Sequence, residues 1–204
     1  MITETVCFTG HRWIPSEKRE NVSSMLFCFI QKAYDNGYRR FMCGGALGFD
    51  TLAALQVLEL RRIHPEIKLV LAIPCGDQAA HWNRDDQEVY SRILDQADEK
   101  KVLSPFYYHG CMQTRNRYMV DHSNLCICYM YSLHGGTAYT VRYANSRNIE
   151  IINLAMNYSR DELTLKENQW NSIFISRSAR KSAGTVHLCL SQTLKLRQKN
   201  MLNS

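Results

Sequence analysis

The sequence predicts an α/β fold: a Rossmann-like, doubly wound, mostly parallel sheet with helices on both faces. Three observations carry that prediction. Short apolar, β-rich runs alternate with helical patterns over about 150 residues. The alternation repeats as strand, helix, strand, which a single sheet accommodates through crossover connections. Glycines cluster where an apolar run gives way to a helical pattern.

Thr5 to Thr9 is an apolar run that breaks at Gly10, as a buried strand entering a loop does. Pro15 opens the helix that follows, and Ser16 and Glu17 suit its first turn. Val22, Met25, Leu26, Phe29, Ile30 and Ala33 then recur at helical spacing until Asn36-Gly37 ends the helix. Arg40 to Cys43 is the second strand, Phe49 to Ile63 a helix, Ile67 to Ile73 a strand, Asp85 to Ala97 a helix and Lys101 to Leu103 a short strand. Gln113 to Ser123 is the next helix, Leu125 to Met130 a strand, Thr137 to Ser146 a helix and Glu150 to Leu154 the last strand. Right-handed crossovers between them place helices on both faces of a mostly parallel sheet. Beyond Asn157 the pattern weakens into short apolar groups, Ile173 to Ile175 and Val186 to Leu190, and Ser191 to Met201 fits one amphipathic helix. The expected organisation is a nucleotide-binding domain over 1–157 and a basic C-terminal extension, weakly structured or helical, over 158–204.

At 204 residues and 45% hydrophobic content the chain holds one α/β core rather than two. Residues 160–204 carry eight Lys/Arg against three Asp/Glu and so supply +5 of the net charge of +6. Met1-Ile2-Thr3-Glu4 lacks the basic start of a secretory leader. The longest apolar run, around Leu125 to Leu133, falls far below the roughly 20 residues of a membrane span. A soluble, cytoplasmic protein without a membrane partner is expected. The eight cysteines are irregularly spaced and lie mostly in apolar runs, as Cys7, Cys28, Cys43, Cys126 and Cys128 do, which reads as reduced core residues. His109-x-Cys111 and Cys126-x-Cys128 are the nearest approaches to metal-ligand spacing, and the second pair would share one strand face and pack there. No metal or other cofactor is expected.

In an open parallel sheet ligands bind beyond the C-terminal strand ends. Four motifs fall there. In Thr9-Gly10-His11-Arg12, Gly10 permits close approach and Arg12 offers planar donors to a phosphate. Cys43-Gly44-Gly45-Ala46-Leu47-Gly48-Phe49-Asp50 opens a helix, so Gly44, Gly45 and Gly48 let backbone N–H groups face an anion at a helix N-terminus. It has neither the Gly-x-Gly-x-x-Gly spacing of a dinucleotide fold nor the Gly-Lys-Ser/Thr of a P-loop, which disfavours both classes. Asp50 reads either as an acceptor for a ribose hydroxyl or as a helix cap. His134-Gly135-Gly136-Thr137 repeats the arrangement, with Thr137 adding a hydroxyl. Two such junctions on one sheet edge are a stronger sign than either alone. Arg115, Asn116 and Arg117 stand at the entrance of another helix, where consecutive residues point in different directions. Asn116 and Arg117 are the ligand candidates among them.

These motifs, in this order and spacing, resemble the SLOG superfamily and most closely its YpsA-like branch. The resemblance is carried by Phe8 to Arg12, Gly45 to Asp50, Ala72 to Cys75, Gly110 to Gln113, Asn116 to Asp121 and Gly135 to Thr140, and it covers about residues 5–154. It implies a Rossmann-like domain binding nucleotides or nucleotide-derived ligands, through Gly10, Arg12, Gly44, Gly45, Gly48, Asp50, Gly135, Gly136 and Thr137. The superfamily also includes the LOG phosphoribohydrolases and the single-stranded DNA protein DprA. Where the LOG enzymes place a catalytic Glu a few residues after their Gly-Thr segment, this chain has Ala138-Tyr139-Thr140-Val141-Arg142, with no carboxylate. A carboxylate is what an oxocarbenium-like transition state calls for, so its absence lowers the hydrolase reading.

Three functional readings follow. The first is a sensor or regulatory protein that binds a nucleotide or nucleotide-derived ligand bearing phosphate and ribose. The second is an N-glycosidase or phosphoribohydrolase with Asp50 as the catalytic acid or base and Arg12 or Arg117 on the phosphate. The third is nucleic-acid binding through Arg177, Arg180, Lys181, Lys195, Arg197 and Lys199 of the basic extension, set against a solvated tail. Among the rim aromatics Trp13, Trp82, Tyr107, Tyr108 and Tyr139, Trp82 is taken as the base-stacking candidate. A homo-oligomer is compatible with this fold class, and no residue pattern sets its stoichiometry.

Overall fold

Six parallel strands form one sheet in the order β4-β3-β2-β1-β5-β6. In the computed structural model the elements are β1 (Thr5–Gly10), α1 (Ser16–Asp35), β2 (Arg40–Cys43), α2 (Phe49–Arg61), β3 (Lys68–Ile73), α3 (Arg84–Gln96), β4 (Glu99–Val102), α4 (Cys111–Asp121), β5 (Leu125–Tyr129), α5 (Gly135–Ser146) and β6 (Glu150–Asn153). The structure describes residues 4–155, and the basic extension with its expected helix at Ser191 to Met201 lies outside the described residues.

The strands of the sheet centre are buried along most of their length because helices cover both faces. All five residues of β5 are buried, as are Leu69 to Ile73 of β3. Val6 of β1 pairs in register with Phe41 of β2 on one side and Leu125 of β5 on the other. The chain winds from β1 outward through β2 and β3 to β4, then returns through α4 to β5 on the opposite side of β1. With right-handed crossovers this reversal puts α1, α2 and α3 on one face and α4 and α5 on the other. The packing agrees: α1 lies on α2, α2 on α3, and α4 on α5.

Side-chain alternation divides the core between those faces. Phe8 stacks with Phe41 on the α1–α2 side, their ring centroids 6.3 Å apart. Cys7, Met42, Cys126 and Cys128 face the other way and pack with Met119, Val120 and Ala144. Cys126 and Cys128 therefore share one face and are filled in as core residues.

Three element starts differ from the sequence pattern by two residues. β4 begins at Glu99, two residues before the apolar signal, because an edge strand paired only to β3 tolerates the exposed Lys100 and Lys101. α5 begins at Gly135 rather than Thr137, entered through a left-handed backbone at φ 84° that glycine adopts without strain. α4 begins at Cys111 behind a left-handed Gly110 at φ 96°, two residues earlier than expected. That shift puts Arg115 a full turn inside the helix rather than at its entrance.

Candidate functional site

The sheet order reverses between β1 and β5, and in open parallel sheets ligands bind beyond the C-terminal strand ends at such a reversal. The β1 loop is pinned on both sides. His11 N–H donates to the Tyr129 carbonyl at 3.2 Å, and the His11 carbonyl accepts from Phe49 N–H at 3.2 Å. The His11 ring joins the β1 and β5 loops by accepting from Ser132 N–H on Nε2, at 3.3 Å. That bond requires a neutral imidazole with its proton on Nδ1. Burial holds the His11 pKa below its ordinary value of 6.5, which favours the accepting form. Because the folded value is depressed, the contribution of His11 to stability is complete above 6.5 and is lost as pH falls through the folded pKa. A nuclear magnetic resonance titration should find the His11 ring midpoint below 6.5, with the Ser132 amide shifting in the same step.

The glycines of the β1 and β2 loops mate these loops to each other and to the pair beneath them. A Cβ at Gly10 would overlap the Phe49 side chain, and one at Gly48 would overlap the Arg12 carbonyl. Gly48 also sits at φ 77°, where L side chains are strained. A Cβ at Gly44 would occupy the position of the Arg115 guanidinium. Gly45, at φ 63°, would set a Cβ 3.0 Å from the Tyr90 ring.

Beneath the β2 loop lies a buried ion pair. Arg115 Nη1 stands 3.9 Å from Asp50 Oδ2 and donates to the Gly44 carbonyl. Asp50 Oδ2 accepts from Gly44 N–H at 3.1 Å and from Ala46 N–H at 3.4 Å. Asp50 therefore ties the loop to α2 and to α4, rather than capping its own helix, whose N-cap is Gly48. Burial pushes the Asp50 carboxyl up, against the pull of Arg115, the two N–H donors and Arg12. Burial likewise lowers the Arg115 guanidinium, against the support of Asp50. Arg12, exposed on the β1 loop, acts on both members of the pair through space.

Arg115 also fixes its neighbour. Its Nε donates to Asn116 Oδ1 at 2.8 Å, so the Asn116 amide turns its Nδ2 donor toward α5, where it lies 4.0 Å from a Cβ placed on Gly136. The α5 N-terminus has no side-chain cap among the described residues and no acid in its first turn. Gly135, at φ 84°, has open space where a side chain would stand. Thr137 is buried behind them, and Thr140 returns its hydroxyl to the Gly136 carbonyl at 2.8 Å.

The sequence candidates thus separate. Arg12, Gly44, Gly45, Gly48 and Asp50 gather with Gly10 around the β1 and β2 loops, and Asn116, Gly135, Gly136 and Thr137 gather at the α5 N-terminus. Arg117 points elsewhere: it donates to the Tyr139 hydroxyl and lies over the Tyr139 and Tyr143 rings, at 5.6 and 5.8 Å from their centroids. Trp82 is half-buried with its ring edge-on to Tyr90, centroids 5.2 Å apart, on the wall beside Gly45. Gln78 joins that wall, donating to the Gly45 carbonyl at 2.9 Å. Arg115, Gln78 and Tyr90 were not among the sequence candidates. Arg115 was detectable by phase: Cys111, Arg115 and Met119 are spaced by four, and all three are buried. Arg117, two residues on, necessarily faces away.

The family model YpsA, described as the YspA SLOG family, matches residues 15–160. The chain belongs to this family. The match starts at the helix after the β1 loop and takes in the β2 loop, Asn116 and the α5 N-terminus, leaving Gly10 and Arg12 just before it. The SPbeta prophage-derived protein YoqJ of Bacillus subtilis is 35% identical over 122 residues, covering 54% of this chain and 71% of YoqJ. A UPF0398 protein of Halalkalibacterium halodurans is 29% identical over 130 residues, 58% of this chain and 69% of its own. Among solved structures, DNA processing protein A (DprA) from Helicobacter pylori, described for its single-stranded DNA binding mode, aligns with TM-score 0.55 at 20% identity, over 82% of this chain and 74% of that one. DprA from Streptococcus pneumoniae aligns with TM-score 0.54 at 16% identity, and the chain spans 56% of its length while 81% of this chain is covered. At these identities the likeness to DprA is one of fold. Family and architecture agree with the resemblance read from the motifs. None of the described helices is long and apolar enough to cross a membrane.

Proposed function

We propose that the chain binds a nucleotide or nucleotide-derived ligand, with its phosphate at the N-terminus of α5 and without turnover by Asp50. The carrying observation is the α5 N-terminus itself: it follows the C-terminal end of β5, the edge where open parallel sheets bind ligands, lacks a side-chain cap and a first-turn acid, opens through Gly135 and faces the Asn116 amide donor. Helix N-termini of this kind favour anions through free N–H groups and the macrodipole. The commitment of the Asp50 carboxylate to Gly44, Ala46 and Arg115 supports binding over glycosidic cleavage, since a general acid must reach the substrate.

The experiment is calorimetry and thermal shift on the pure chain with nucleoside mono- and diphosphates, adenosine diphosphate ribose and nicotinamide dinucleotides. A true ligand at a hundredfold excess over Kd should stabilise the fold by about 2.7 kcal/mol. Gly136→Asp separates binding from folding. Its position is open and exposed, and an acid in the first turn favours the helix by about 0.3–1 kcal/mol, yet the carboxylate repels a phosphate there. Affinity should fall about tenfold or more while the melting temperature holds or rises. No response to any of these ligands, or unchanged affinity in Gly136→Asp, defeats the proposal.

A second reading is supported by the fold likeness to the Helicobacter pylori DprA, whose description concerns single-stranded DNA. It assigns the basic residues of the extension to phosphate neutralisation. Arg180→Glu with Lys181→Glu in the full chain should then weaken oligonucleotide binding and flatten its salt dependence. Retention of wild-type binding by that variant would remove the extension from the account.

A further inference from the structure

Resting on the nucleotide reading above, we propose that Trp13 and Tyr131 form the platform on which the base of the ligand stacks. Both side chains are largely exposed, Trp13 at 65% and Tyr131 at 52%, although indole and phenol rings ordinarily bury most of their area. A single exposed aromatic needs no explanation, but these two come from different loops that are joined to each other. The Tyr131 hydroxyl donates to the Trp13 carbonyl at 3.4 Å. The Tyr131 ring is braced by His11, with centroids 4.0 Å apart, and meets Tyr129 edge-on at 5.6 Å. The bond from Ser132 N–H to His11 Nε2 joins the same loops a second time. Exposed rings on a braced backbone form a pre-organised surface, which binds with less ordering cost than a loose loop.

The platform stands where a base would be needed. Its loops leave β1 and β5 and so lie at the strand reversal, where open parallel sheets bind ligands. The segment from Tyr131 leads straight into Gly135, and four residues span at most about 14 Å, the scale over which one nucleotide carries its base and its phosphate. The segment is held in place by His134 N–H donating to Ser132 Oγ at 3.3 Å and by Arg142 donating to the Leu133 carbonyl at 3.0 Å. Among the described residues the other exposed aromatics, Phe106, Tyr107 and Tyr108, lie on the loop after the edge strand β4, with β3 and β2 between that strand and β1. Trp82, the sequence choice for stacking, already spends its ring on Tyr90. Stacking tolerates any base, because each has a π-face.

The test compares adenosine, guanosine, cytidine and uridine monophosphates with ribose 5-phosphate, which keeps the phosphate and lacks the base. Calorimetry on the full chain should find the nucleotides tighter than ribose 5-phosphate, and Trp13→Ala should erase that advantage, a loss of about 5- to 150-fold, while ribose 5-phosphate affinity stays put. Trp13→Phe should recover much of it. In fluorine-labelled-tryptophan spectra, the Trp13 resonance should shift with the monophosphates and not with ribose 5-phosphate. The platform is overturned if Trp13→Ala keeps the preference for base-bearing ligands, or if it alters only the sedimentation behaviour, which would make the surface a contact between copies. Phosphate binding without any base preference would sink the platform and leave the nucleotide site standing. Failure of every compound to bind would sink both.

Discussion

Asp50→Ala is expected to destabilise the fold by about 3–5 kcal/mol, the cost of leaving one member of a buried ion pair without its partner. The alanine would strand the Arg115 guanidinium among buried groups and would orphan the Gly44 and Ala46 N–H donors. Denaturant unfolding measures the loss directly. Removing both charges together, as Asp50→Ala with Arg115→Met, should cost less than the sum of the single changes by about 1–3 kcal/mol, because neither charge is then left unpaired. Strict additivity would mean that the two side chains do not act as a pair. A drop of less than about 1 kcal/mol for Asp50→Ala would show that the carboxylate is not an anchor, and would return it to the candidates for chemistry.

Gly48→Ala should be nearly as damaging, at about 2–5 kcal/mol. Two costs add: a non-glycine residue in the left-handed region at about 1–2 kcal/mol, and overpacking at about 1–3 kcal/mol. The second cannot relax cheaply, because the atom in the way is the Arg12 carbonyl, part of a backbone held at His11 by Tyr129 and Phe49. Gly136→Ala supplies the contrast, since a Cβ there finds nothing nearer than 4.0 Å and the helix gains a better former. Equal melting temperatures for the two variants would refute the division between packing glycines and open ones.

That division marks where sequence reasoning stopped. Glycine-rich junctions at Gly44 to Gly48 and Gly135 to Gly136 were legible as loops on one sheet edge, and their positions after β2 and β5 are as expected. A sequence shows that a glycine is present without showing what would collide with a side chain there. Gly10, Gly44 and Gly48 accommodate protein atoms, whereas Gly135 faces open space. Arg115 and Arg117 illustrate the same limit from the helix side. Their roles depend on the phase of α4, and a two-residue error in its start hid the face that Arg115 shares with Cys111 and Met119. Trp82 and Trp13 were both visible as rim aromatics, and only exposure distinguishes a ring packed on Tyr90 from one left on the surface.

By itself the sequence determined the alternation of strand and helix and the parallel sheet, because periodicity, turn residues and crossover handedness are local or general rules, while its motifs carried the resemblance with which the family match agrees. Only the tertiary structure decided that Asp50 and Arg115 pair beneath the β2 loop, that Asn116 turns its amide toward α5, and that the Tyr131 hydroxyl reaches the Trp13 carbonyl. Each of those contacts joins residues or elements far apart in the chain, and it exists because the sheet brings their ends together.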